Sequence, residues 1–176
     1  MPVRDALTQG TRIADRFVIE HPVAEGGMGL IYRATDTHTG QAVALKLLVK
    51  TSAQRHEQAL REAEILSRLQ SRNIVRYVAH GSMPSGDLYV VTEWLEGEDL
   101  GQALQRQPLT LAATLRILTQ VSDALAEVHA HGLLHGDVKP SNIFLCSGPD
   151  SRVVLLDFGI TRPFSADTSA YDQTEP

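Results

Sequence analysis

His135-Gly136-Asp137-Val138-Lys139-Pro140-Ser141-Asn142, followed by Leu156-Asp157-Phe158-Gly159, is the stretch whose reading decides the fold. A carboxylate, a lysine and a carboxamide lie between Asp137 and Asn142, and Pro140 stiffens the backbone between them. A second carboxylate, Asp157, comes 20 residues after the first, behind an apolar run from Val153 to Leu156 that reads as a buried strand. The stretch thus gathers a proton acceptor, a cation and two metal-seeking oxygen groups at the ends of short strands. Phosphoryl transfer from a metal nucleotide needs this set: a base for the hydroxyl, a positive charge for the phosphate, and oxygen ligands for Mg²⁺.

Upstream, Phe17, Ile19 and Val23 fall mostly on alternate positions of a half-buried strand, which His21-Pro22 confines to an edge or a bulge. Glu25-Gly26-Gly27-Met28-Gly29 then describes a tight hairpin whose backbone can approach a ligand closely. A third strand spans 41–48, and Lys46 sits in it among apolar residues, where an unpaired charge is costly. That lysine calls for an anion. Residues 52–70 read as a helix with Leu60, Ala63, Leu66 and Leu69 on its buried face. Strands are expected at 74–79 and 88–93, joined by the turn-rich loop 81–86. The longest helix runs from Leu111 to Ala130 with an apolar stripe through Leu111, Leu115, Leu118, Val121, Leu125 and Val128, and Gly132 ends it. His129 and His131 lack the cysteines or carboxylates of a zinc site and read as solvated or capping residues.

Composition sets the outer bounds. The 176 residues suit one domain, or one domain and part of another, with 43% hydrophobic and 21% charged residues, as in ordinary globular proteins. A formal charge of −5 without a basic run argues against nucleic acid as a partner. The single cysteine, Cys146, permits no internal disulfide and suits a reducing compartment. No apolar run is long enough to cross a bilayer, and Met1 to Gly10 lacks the apolar core of a signal peptide, so a cytoplasmic location is expected.

The order of these pieces resembles the protein kinase family. Its catalytic loop reads His-x-Asp-x-Lys-Pro-x-Asn, its metal-binding motif Asp-Phe-Gly, and its small lobe begins with a Gly-rich hairpin and a strand bearing Val-Ala-x-Lys, here Val43 to Lys46. Lys139-Pro140 and the Gly-Gly-Met-Gly lid resemble the bacterial, Hanks-type serine/threonine members. The resemblance implies an α+β fold: a lead-in at 1–15, a small lobe of antiparallel sheet plus one helix at 16–93, and a hinge at 94–97. The first part of a helical large lobe would follow at 98–159, and an activation segment, without its closing Ala-Pro-Glu, at 160–176. It also implies ATP and Mg²⁺ as cofactors and serine or threonine hydroxyls of proteins as substrates.

Residue by residue, the resemblance makes Asp137 the base and Lys139 the cation on the transferred group, with Asn142 and Asp157 holding the metal. Ala24, Gly26, Gly29, Ile31, Ala44, Lys46, Glu93, Leu95 and Phe144 would surround the nucleotide. Glu62, ahead of Glu64, would pair Lys46, and Thr92 would control access behind the adenine. The chain departs from the family at Ala24, usually a glycine, and at Gly136, usually an arginine that receives a phosphorylated activation segment. Two other readings stay open: an inactive nucleotide-binding scaffold, and a small-molecule phosphotransferase of kinase-like fold.

Overall fold

Buried and half-buried residues alternate along two neighbouring strands, β3 (Gly29–Asp36) and β4 (Gln41–Leu48), with Leu30, Tyr32, Ala34, Val43, Leu45 and Leu47 on the covered face. This is the period of a sheet with one face on a core. The computed structural model describes residues 7–26, 29–48, 53–148, 152–158 and 162–163; within the helix at 53–68 the side chains of 53–56, 58, 59 and 62 lie outside that description. Six antiparallel strands form the main sheet in the order β1-β2-β3-β4-β6-β5, with β1 at Arg12–Ile13, β2 at Phe17–Gly26, β5 at Tyr77–Ser82 and β6 at Leu88–Glu93. One helix, α1 (Ala53–Arg68), connects β4 to β5.

Beyond the sheet come β7 (Gly97–Asp99), α2 (Leu100–Arg106), α3 (Leu111–Ala130) and β8 (Leu133–Leu134). A 3₁₀ turn at Pro140–Asn142 leads into β9 (Ile143–Cys146), then β10 (Val153–Leu155) and β11 (Arg162–Pro163). Strands β10, β9 and β7 form a small antiparallel sheet, and β11 pairs with β8. The fold is the expected kinase-like α+β arrangement: a small lobe built on the antiparallel sheet and the first part of a large lobe around α3. Its two main cores are separate. Phe17, Tyr32, Leu45 and Val91 centre the first; Leu66, Ile74, Val75, Ile117, Val128, Val154 and Phe158 belong to the second.

Three expectations need correction. The strand placed at 74–79 is β5 at Tyr77–Ser82, because Ile74 instead bridges Leu155 in parallel and Val75 donates its N–H to the Leu155 carbonyl. Leu60 is not on a buried face; Ala63 and Leu66 are, while Leu60 is exposed. On α3 the bounds match, with the Thr110 hydroxyl capping the Ala113 N–H. Its buried face, however, is Ile117, Val121, Ala124 and Val128, whereas Leu111, Leu115 and Leu118 are 75%, 56% and 56% exposed.

Candidate active site

The site is built from two directions. From the small lobe, β2 and β3 form the hairpin that ends in the Gly26–Gly29 pair, with 27 and 28 outside the described residues. At Gly29 (φ +136°) a Cβ would meet the Leu47 carbonyl oxygen at 2.1 Å, so packing of β3 on β4 alone demands glycine there. Strand pairing shifts register at Pro22/Ala24, which leaves Val23 as the extra residue of a bulge, 47% exposed and facing the cleft. From the large lobe, the small sheet delivers Phe144 and, past the end of β10, Leu156 and Asp157.

Between them lies a cleft of about 530 Å³. Of the residues assigned from sequence, Ile31, Ala44, Lys46, Glu93, Leu95, Asn142, Phe144 and Asp157 line it, as does Thr92. Ala24 is paired with Ile31 on the exposed part of β2 and is not among the lining residues. Glu62 lies on α1 with its side chain outside the described residues, and Gly159 also lies outside them. Lys46 Nζ stands 3.4 Å from Asp157 Oδ1, both side chains about three-quarters shielded. Asp157 has φ +59°, a left-handed conformation that a non-glycine residue holds only when its surroundings fix it.

Asp137 is joined to this cleft through Asn142. Asn142 Nδ2 donates to the Asp137 carbonyl at 2.9 Å and to Asp137 Oδ2 at 3.0 Å, and Lys139 Nζ donates to the same Oδ2 at 2.7 Å. The lysine, then the carboxamide, holds the Asp137 carboxyl below the usual carboxylate range; the same carboxylate raises Lys139. His135, 2% exposed, ties the loop 135–142 to the end of β10 before Asp157. Its Nε2 donates to the Leu156 carbonyl at 3.0 Å, its Nδ1 accepts the Asp137 N–H at 3.2 Å, and its ring meets Phe158 edge-on with centroids 4.7 Å apart. Neutral imidazole with the proton on Nε2 satisfies both bonds, and burial lowers the pKa in the same sense.

At the end of β6, Glu93 is occupied: Oε1 accepts the Arg76 N–H at 3.0 Å and Oε2 accepts from Arg152 at 3.2 Å. Its carboxylate therefore has protein partners, and a ligand there would meet backbone. The Trp94 ring stacks beneath the Arg33 guanidinium at 5.4 Å and its Nε1 donates to Glu96. Leu95, between them, has no backbone hydrogen-bond partner among the described residues although it faces the cleft.

A sequence profile of the family described as "Protein kinase domain" matches residues 17–175. The chain belongs to the protein kinase family. Among its relatives are the serine/threonine-protein kinases pkn3 and pkn2 of Myxococcus xanthus, each 36% identical over 160 residues, covering 87% and 88% of this chain. The mitogen-activated protein kinase HOG1 of Saccharomyces cerevisiae is 35% identical over 164 residues, 92% of this chain. The alignments span only 29%, 19% and 37% of those relatives' own lengths. Within this kinase chain, Gly136 has φ +82°, so the residue before Asp137 sits where an arginine would be strained. Val23, Val75 and Leu156 line the cleft without having been assigned to it from sequence. The readable hint for Leu156 was its place at the end of an apolar run directly before Asp157. For Val23 it was the proline that breaks the alternation.

Proposed function

We propose that this chain carries the nucleotide site and catalytic loop of a serine/threonine protein kinase, transferring the γ-phosphoryl group of ATP to protein hydroxyls. The observation that carries the reading is that two groups, Lys46–Asp157 and Asn142–Asp137–Lys139, meet at one cleft through its lining residues Asn142 and Asp157, joined by the Leu156 N–H to the Asn142 carbonyl. Asp137 would orient the substrate hydroxyl and accept its proton, and Lys139 would balance charge on the moving group. Lys46 would hold the phosphates. The cleft wall of Val23, Ile31, Ala44, Phe144 and Leu156 suits a planar base, and the unpartnered backbone of Leu95 suits its hydrogen-bonding edge.

The donor set also fits magnesium. Among the described residues no group of three or more His, Cys, Asp or Glu could hold a metal. One carboxylate, Asp157, beside one carboxamide, Asn142, is the sparse protein share that Mg²⁺ takes when substrate phosphates and water supply the rest. Bound there, the ion would neutralise charge on the phosphates. Among the described residues no helix is long and apolar enough to cross a membrane.

The test is radiolabelled phosphate transfer from ATP to a generic protein, to an aminoglycoside and to a sugar. Protein labelling is expected, and Asp137→Ala should slow it roughly 10²–10⁴-fold, the usual span for a lost general base. Labelling of the small molecules alone would replace this reading with the small-molecule phosphotransferase. Bound nucleotide with no transfer would favour the scaffold.

A further inference from the structure

Asn73 is a buried polar residue, 5% exposed, that none of the catalytic roles above uses. It lies between α1 and β5, and both of its carboxamide protons are engaged. Nδ2 donates to Gln120 Oε1 on α3 at 2.8 Å and to the Val153 carbonyl on β10 at 2.8 Å. Gln120 Oε1 also accepts the Val153 N–H at 2.9 Å, closing a three-residue ring. The Asn73 carbonyl then accepts the Leu155 N–H at 2.8 Å, and the Val75 N–H donates to the Leu155 carbonyl at 3.1 Å.

These bonds complete a strand edge. The small sheet runs β10-β9-β7, so among the described residues no strand pairs the other edge of β10, and residues 73–75 cover it. Ile74 and Val75 add apolar packing, 2% and 7% exposed. One residue past β10, the Leu156 N–H donates to the Asn142 carbonyl at 2.8 Å and the Leu156 carbonyl accepts from His135. The next residue is Asp157, in its left-handed conformation. A residue held at such a φ keeps its aim only while the chain leading into it is fixed.

We propose that Asn73 is a positioning residue for Asp157, acting through β10 to set the carboxylate that faces Lys46 and the nucleotide's metal. The inference rests on the reading of Asp157 as a metal ligand. Asn73→Asp is the incisive substitution: it keeps the shape, but places a carboxylate against two acceptors, Gln120 Oε1 and the Val153 carbonyl.

The experiment is calorimetric titration of the full chain with ADP, with and without Mg²⁺. The original chain should bind ADP more tightly when Mg²⁺ is present; equal affinity would overturn the metal assignment of Asp157 itself. Given that enhancement, Asn73→Asp should reduce it about tenfold, the low end for residues that orient a metal ligand, while metal-free ADP affinity stays unchanged. An intact enhancement in the variant, or equal loss with and without Mg²⁺, would overturn the positioning role. Should Asn73→Asp not fold by circular dichroism, amide hydrogen exchange on the original chain decides. Protection of the Val75 and Leu155 N–H groups should then rise with ADP and Mg²⁺ together and not with ADP alone. Unchanged protection would reject the inference.

Discussion

Lys46 and Asp157 both line the cleft, and their side chains form an ion pair across it. Replacing Lys46 by methionine keeps the strand's volume and β pairing with Val90 but removes the cation. Nucleotide affinity or turnover should fall while the far-ultraviolet circular dichroism is retained. On the resemblance's assignment of Glu62 as the partner of Lys46, Glu62→Gln should act in the same direction more mildly, since the lysine keeps its charge. Glu64→Gln is the control: Glu64 is exposed and pairs with Arg68 one turn along α1, a contact worth a few tenths of a kcal/mol. ADP titrations of the three variants check this order, and greater damage from Glu64→Gln would shift the helix register. That Lys46 needs an anion was legible, because the residues around it are apolar. Its contact with Asp157 was not, since 111 residues separate the two and no local period links them.

The strand pair β3–β4 turns on Asp36, 1% exposed at the end of β3. Its carboxylate accepts from Arg16 Nε at 2.9 Å and Nη2 at 2.8 Å, and Oδ1 also accepts the His38 N–H at 3.0 Å. The Arg16 bond above all lowers the Asp36 pKa to about 2. A depressed carboxylate contributes stability above its ordinary value near 3.8 and loses it as pH falls through about 2. Asp36→Asn should therefore lower the melting temperature at neutral pH, by roughly 1–3 kcal/mol of stability. The gap to the original chain should close between those two pH values, as thermal melts across that range will show. At this scale the sequence was readable where one local rule governs: α3 ends at the glycine turn read for it at Gly132, and β4 fills the strand read at 41–48. It was misread at 74–79, where β-forming residues serve the edge of β10 instead of the main sheet. It was misread again in the rotation of α3, where Leu115 and Leu118 satisfy helical spacing yet Ile117 and Ala124 face the core.

Across the whole molecule, Leu111, Leu115 and Leu118 make one exposed apolar line on α3, at spacings of four and three residues. Apolar area of this kind promotes association. Leu118→Lys should leave the melting temperature nearly unchanged, because the side chain is largely solvent-exposed, while reducing concentration-dependent association in sedimentation velocity. A large loss of stability would mean the line is covered within the chain. The bonds at 73–75 carry a different consequence, one of time. The β2–β3 and β3–β4 hairpins join near neighbours in the chain, whereas Asn73 to Val153 spans 80 residues and Lys46 to Asp157 spans 111. Contacts of long sequence separation bear the largest loop-closure entropy and form last. The small-lobe sheet should thus be assembled before the chain can recognise a nucleotide, and on refolding, ADP capture should lag the return of β-sheet signal. A nascent chain would spend that interval with its first lobe folded and its site not yet in existence.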